Sequence, residues 1–264
     1  MRRLFAFNTP GRPGVRPDRD TNHQRGFAMN GRVIAGVMAW VAALGSAVSA
    51  EAALVGYWNF DQGGSLGSCS VTGATLSVAG DAQYAAGGYV GGALRLDGSG
   101  DYLWHDPATS VPSGIPTGNS SYTLAAFVRT SSAANQGIIG WGNFGSSGQV
   151  NALRTHGTAL LNYGWSSAYD YSAAAPTIYD GQWHHVAATY DSATQTKRLY
   201  FDGVEIGGGM TLASDLNVGA ANFRIGSTNN AEYFNGLLDE VGVWQAALTA
   251  SRVKALYGLA QRTE

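Results

Sequence analysis

Lys197-Arg198-Leu199-Tyr200-Phe201-Asp202-Gly203-Val204-Glu205-Ile206 reads as two short apolar runs around an Asp-Gly pair. Asp-Gly accepts the two positive φ angles of a type I′ turn, whose twist matches the strands it joins, so the stretch predicts a tight antiparallel hairpin. The same rhythm continues outward in both directions. Apolar runs broken by Gly, Asn, Asp and Ser fall at 54–60, 75–78, 93–96, 102–105, 122–130, 138–141, 150–154, 159–165, 183–190, 198–202, 204–206, 223–225 and 236–244. So many short runs joined by turn residues predict an all-β chain of antiparallel strands. One segment is different. Leu248 to Gly258 predicts a short C-terminal helix, with Thr249 as N-cap, Val253, Leu256 and Tyr257 on one side, and Gly258 as its stop.

Composition agrees with this pattern. The 264 residues include 37 Gly and only 34 Asp, Glu, Lys and Arg, a charged share of 13% where about 25% is usual. That low charge excludes charged helical bundles and basic nucleic-acid binders, while 7 Trp, 13 Tyr and 9 Phe exclude disorder. From Met29 the sequence reads as a secretory leader: Arg32, an apolar run from Val33 to Leu44, then Val48-Ser49-Ala50 as a small-residue cleavage site. The run is shorter than the roughly 20 residues a membrane helix needs. Residues 1–28 carry six Arg and no hydrophobic period, which points to Met29 as the true start. The expected organisation is therefore an extension plus signal peptide over 1–50 and one sandwich domain over 51–264, secreted or periplasmic.

Residues 1–50 hold seven of the 16 basic and two of the 18 acidic residues, leaving 9 basic and 16 acidic beyond them. A net charge near −7 disfavours phosphate backbones and anionic lipid surfaces. Cys69 is the only cysteine, so no intramolecular disulfide can form and the core, or a bound ion, must hold the domain.

Six blocks, in order, resemble the laminin-G-like, concanavalin A-like lectin/glucanase superfamily in its bacterial secreted form. They are Leu54-Val55-Gly56-Tyr57-Trp58-Asn59-Phe60-Asp61, Gly91 to Leu103, Tyr122 to Val128, Gly181-Gln182-Trp183-His184-His185-Val186-Ala187, Leu199 to Gly203, and Phe234-Asn235-Gly236-Leu237-Leu238-Asp239-Glu240-Val241. The resemblance implies a two-sheet antiparallel jelly roll whose curved sheet often presents a ligand groove. Two departures stand out: the loop Gln62 to Gly73 lacks an Asn-Gly-Asp-Gly run, and Trp141 stands where relatives carry a small or charged residue.

Several catalytic patterns fail on inspection. Gly140-Trp141-Gly142-Asn143-Phe144-Gly145 matches a dinucleotide signature and Gly63-Gly64-Ser65-Leu66-Gly67 a nucleophile elbow, but no helix follows either. Glucanase relatives place their carboxylates as Glu-x-Asp-x-x-Glu, and Glu51, Glu205, Glu232 and Glu240 all lack the Asp two residues on. Asp239 and Glu240 are neighbours on a predicted strand, so their side chains are expected on opposite faces and not as an acid pair. The same alternation stops His184 and His185 from chelating one ion, and both are expected to hydrogen-bond to backbone.

Two site expectations follow. An exported domain without disulfides gains from an oxygen-ligated ion tying its first and last strands, and Asp61 and Asp239 occupy those strands. The resemblance implies the same structural Ca2+ in kind; alternatively, Asp61 opens a turn and Asp239 caps a bulge. Second, Tyr163, Trp165, Tyr169, Tyr171 and Tyr179, with Trp141 upstream, offer rings that stack on sugar faces, although the same rings could equally fill the core. Trp58, Trp183 and Trp244 are expected in the core. The combined expectation is an exported, non-catalytic module binding polysaccharide or cell-surface glycan. A polysaccharide hydrolase or lyase on the same fold, and an adhesion or structural protein with cell-surface protein partners, are the alternatives.

Overall fold

The computed structural model describes residues 52–229 and 231–260, so the leader assigned to 1–50 lies outside the described residues. Among the described residues, fifteen strands form two antiparallel sheets. In the eight-stranded sheet the order is β13 (Val204–Thr211), β12 (Thr196–Phe201), β11 (His184–Asp191), β6 (Tyr122–Arg129), β15 (Asn235–Trp244), β4 (Ala93–Asp97) and β3 (Gln83–Ala85), with β1 (Leu54–Trp58) also on β15. The seven-stranded sheet runs β10 (Tyr171–Ala174), β9 (Ala159–Tyr163), β8 (Val150–His156), β7 (Gln136–Gly142), β14 (Arg224–Ile225), β5 (Tyr102–Trp104) and β2 (Ser77–Ala79).

The opening hairpin forms as its sequence dictates: Phe201 pairs with Val204, and Asp202 and Gly203 hold φ of 47° and 75°. Strands β3 and β10 were not expected. Gln83–Ala85 is three residues long and mostly exposed, too short for alternation to register, and Tyr171–Ala174 is disguised by its small residues. Helix α1 (Ala250–Ala260) starts where Thr249 predicts, its hydroxyl accepting the Arg252 amide at 3.4 Å, but it runs on past Gly258.

Leu124, Val128, Ile139, Trp141, Leu153, Val186, Leu199 and Ile225 fill the space between the sheets. A second, smaller core lies outside the eight-stranded sheet, where Val253 and Leu256 of α1 cover Tyr57, Phe127 and Trp244. Of the three tryptophans expected inside, Trp58 and Trp244 are fully buried and Trp183 is half-buried against this second core. The eight-stranded sheet is therefore covered across much of its outer face, while the one helix among the described residues leaves the outer face of the seven-stranded sheet free of helix.

Strand β15 changes partner midway along one edge. Asn235–Leu238 pairs with β4 and Val241–Trp244 with β1, so β1 and β4 lie end to end beside one long strand. At the junction the ladder to β6 slips between Asp239 and Gly242, and Glu240 takes a φ of 51°. This is a β-bulge, placed where two strand ends meet.

Candidate functional site

Strand register assigns the outer face of the seven-stranded sheet. Leu103, Ile225, Ile139 and Leu153 point into the core, so their neighbours Trp104, Arg224, Gly140, Ala152 and Tyr163 form a row on the opposite face. At one end of this row the Tyr163 ring meets Trp165 at 5.5 Å, and Phe144 meets Trp165 edge-on at 5.9 Å. All three are half-exposed. The Arg154 guanidinium lies 4.3 Å above the Tyr163 ring and is tied to Glu232, which also accepts the Thr228 hydroxyl at 2.6 Å. At the other end Arg224 lies 5.0 Å above Tyr102, which stacks on Tyr233 at 6.1 Å.

The local backbone presents Trp165 at a conformational cost. Its φ is 73°, a region that a bulky residue adopts at roughly 1–3 kcal/mol. Asp170 holds the turn by accepting the Gly164 amide at 2.7 Å, and Gly164 must be glycine because a Cβ there would lie 2.5 Å from that of Tyr169. Below the turn, fully buried Lys197 donates to the Tyr169 carbonyl at 2.8 Å and to Asn162 Oδ1 at 3.1 Å. Burial pulls its ammonium down to about 7, with Asp170 acting weakly the other way.

Of the six expected ring residues, only Tyr163 and Trp165 come together at the surface. Trp141 is a correction: it is fully buried, stacks on Phe223 at 5.7 Å, and donates its indole N–H to the Pro116 carbonyl at 2.8 Å. It follows β7 alternation into the core and cannot share an open groove with Trp165. Tyr171 is also internal, its hydroxyl joining the sheets by donating to the Ile206 carbonyl at 3.0 Å and accepting the Gly209 amide at 2.8 Å. Tyr169 and Tyr179 are half-buried against the core. Phe144, Arg154, Arg224, Tyr102 and Tyr233 went unread in the sequence; strand pairing brings them together, and no spacing in the chain signals it.

At the junction of β1 and β4, Asp61, Asp239 and Glu240 gather. Asp239 Oδ2 accepts the Val90 amide at 3.0 Å and Asp61 Oδ1 the Gly92 amide at 3.0 Å, while Glu240 accepts the Tyr57 hydroxyl. Burial raises the Asp239 and Glu240 carboxyls, and the neighbouring carboxylates raise them further. The expected separation of Asp239 from Glu240 onto opposite faces is overturned here, because the bulge breaks the alternation and the Glu240 charge acts on Asp239. The loop Gly88–Gly92 wraps these groups closely: a Cβ on Gly91 would lie 2.0 Å from Asp61 Oδ1, and one on Gly88 2.8 Å from Asp239 Oδ2. Among the described residues no Lys or Arg pairs with any of the three. A different triplet, Asp81, Asp97 and Asp101, brings its oxygens within 4.8 Å of one another, but Asp81 and Asp97 are exposed and Asp101 accepts the amides of both.

The paired histidines do not bind backbone as expected. His184 bridges Asp202 at 2.9 Å and Asp180 at 3.2 Å, and those carboxylates raise it. His185 is buried against Phe127 with no hydrogen-bond partner, and burial lowers it to about 4.

The family model described as the concanavalin A-like lectin/glucanases superfamily matches residues 97–254, and the chain belongs to that superfamily, in its laminin-G-like form. Among solved structures it is similar to domain 4 of AbnA, an extracellular arabinanase from Geobacillus stearothermophilus, in complex with arabinotriose, at 23% identity and a TM-score of 0.59, covering 78% of this chain and 98% of that one. The botulinum neurotoxin serotype G binding domain is similar at 14% identity and a TM-score of 0.62, over 78% of this chain and 51% of that one. Among curated proteins, the rat sushi, von Willebrand factor type A, EGF and pentraxin domain-containing protein 1 is 31% identical over 91 residues. That match spans 31% of this chain and 2% of the relative's length. No helix among the described residues is long and apolar enough to cross a membrane.

Proposed function

We propose that this protein is an exported, non-catalytic glycan-binding module whose ligand stacks on Tyr163, Trp165 and Phe144. The observation that carries this reading is the half-exposed ring cluster at the end of a sheet face on which no described helix packs, with one ring held in a strained backbone conformation. Rings of this kind offer an apolar face to a sugar and a polar edge to its hydroxyls. A neighbour of similar fold, solved with arabinotriose, makes neutral arabino-oligosaccharides the first ligands to try.

The state of the described glutamates favours binding over hydrolysis. Glu205 is paired with Arg198, Glu232 with Arg154, and Glu240 is buried against Tyr57, so none stands across an open site from a second carboxylate as glycoside hydrolysis requires. The leader-like run between Met29 and Ala50 supports export.

A structural Ca2+ belongs to the same proposal, at Asp61, Asp239 and Glu240. These residues offer a hard cation oxygen donors, two buried on Asp239 and Glu240 and one half-buried on Asp61, with no basic partner among the described residues and a glycine loop close around them. Bound there, the ion would neutralise their charge and tie β1, β4 and β15 together.

Calorimetric titration with arabinan and β-glucan oligosaccharides tests the binding claim. Trp165→Ala is expected to weaken binding at least about tenfold, the scale of a truncated aromatic anchor, with an unchanged melting temperature. Reducing-end release from these polymers would replace the reading with a hydrolase, and binding unaffected by Trp165→Ala would remove the site from it.

A further inference from the structure

Strand β14 is two residues long and lies between β5 and β7. Ile225 enters the core, so alternation turns Arg224 onto the outer face of the seven-stranded sheet. Arg224 keeps 7% of its surface open, its Nη1 is enclosed without a hydrogen-bond partner, and no ion pair reaches it among the described residues. Its neighbour on β7 is Gly140, where a Cβ would lie 2.5 Å from that of Ala152, so that strand offers the guanidinium no side chain.

The acids around it are engaged elsewhere or lie behind it. Trp104 pairs with Arg224, which places Tyr102 beside one side of the arginine and Asp106 beside the other. The guanidinium lies 5.0 Å above the Tyr102 ring and is therefore turned away from Asp106. Glu232 is occupied by Arg154 and the Thr228 hydroxyl, and Asp81, Asp97 and Asp101 gather with Arg95 around a separate cavity. Burial lowers the Arg224 guanidinium, and the groups acting the other way are Tyr102 and Tyr233, with no carboxylate among them. An arginine stays charged regardless, and a ring face offsets only part of the cost of taking such an ion out of water.

The surroundings narrow the missing partner. Tyr102 and Tyr233 stack at 6.1 Å, Trp104 stands directly across from Arg224, and all three rings are half-exposed. Rings of this kind accept the apolar face of a sugar, and a guanidinium matches a planar carboxylate. The Arg224 backbone lies three inter-strand steps from Tyr163 through Gly140 and Ala152, about 14 Å at 4.8 Å per step, so the two ring groups are separate places on one face.

We propose that Arg224, Tyr102, Tyr233 and Trp104 form a second subsite on this face, which takes the carboxylate of a uronic acid unit. The ligand class rests on the glycan-binding reading above; the subsite shares none of its residues.

The test compares an oligogalacturonate, the same oligomer fully methyl-esterified, and arabinan oligosaccharides by calorimetry on the purified protein, Arg224→Gln and Trp165→Ala. The parent should bind the acid about tenfold tighter than its ester, the worth of one charge-assisted contact, since the ester keeps the sugar rings and loses the charge. This comparison needs no variant to fold. Arg224→Gln should remove the preference and leave arabinan affinity unchanged, whereas Trp165→Ala should keep the preference. Arg224→Lys should recover only part of it, because an ammonium cannot reproduce the planar fork. Added salt should weaken the acid and not the ester. Acid bound no tighter than ester by the parent, or a preference that survives Arg224→Gln, would overturn the inference; arabinan binding that falls with Trp165→Ala would still leave the aromatic site standing. Failure of all three ligands to bind would overturn both.

Discussion

Lys197 under the aromatic turn gives the sharpest test of how the site is supported. Its ammonium is fully buried and lowered to about 7 from the ordinary 10.5, mainly by desolvation. The unfolded chain takes up a proton as pH falls below about 10, whereas the folded chain resists until about 7, so stability is lost across that window and levels off below it. A displacement of about 3.5 pH units corresponds to about 4–5 kcal/mol at pH 7. Lys197→Met keeps the length of the side chain and removes this cost. It also leaves the Tyr169 carbonyl without its donor, a loss of about 1–3 kcal/mol, while Asn162 Oδ1 keeps the Tyr122 hydroxyl at 3.0 Å. The variant should therefore be about 1–4 kcal/mol more stable than the parent at pH 7 and up to about 2 kcal/mol less stable at pH 10, where most of the lysine cost has gone. Urea unfolding at the two pH values reads both. Glycan affinity should fall at either pH, because the 164–170 turn loses its anchor. A variant destabilised equally at pH 7 and pH 10 would refute the reasoning, since that is the behaviour of a charged lysine satisfied by its partners.

Three further outcomes are expected. Excess chelator should lower the melting temperature, and added Ca2+ should restore it; an unchanged melting curve would remove the ion from Asp61, Asp239 and Glu240. His185, neutral in the fold down to about 4, should cost about 3 kcal/mol of stability as pH falls from about 6.5 to about 4, a loss that His185→Phe removes and that acid titration followed by circular dichroism detects. His184, raised by Asp202 and Asp180, works in the opposite sense and loses its contribution as pH rises above its folded value. Trp141→Ala should lower stability by about 3–5 kcal/mol as a core truncation, in chemical denaturation, with glycan affinity per folded molecule unchanged.

Much of the fold was open to reading because its signals are local. Asp202-Gly203 demands one turn, Thr249 caps one helix, and the apolar runs fix most strands within a residue or two. The site was less legible because face assignment depends on register. Trp141 and Trp165 look alike in the chain, and only the pairing of Trp141 with Asn151 in the ladder, one facing row away from Tyr163, sends the first inward. Arg154, Arg224 and Tyr102 come from three strands that meet through long-range pairing. Glu240 was misassigned because alternation fails at a bulge, although two acids inside the apolar run Leu237 to Trp244 were themselves a sign that the strand carries more than packing.

The position of β15 has a kinetic consequence. This strand is the last of the described strands, yet β6 lies along one of its edges and β4 and β1 along the other, so the middle of the eight-stranded sheet is not filled until residues 235–244 arrive. The N-terminal half can form hairpins by itself, but it cannot close a sheet or bury the junction carboxylates. Folding must then wait on contacts between residues as far as 190 positions apart, such as Leu54 with Trp244. Loop closure over such separations is slow, and a chain shortened before β15 should collapse without a unique structure instead of folding as a smaller domain.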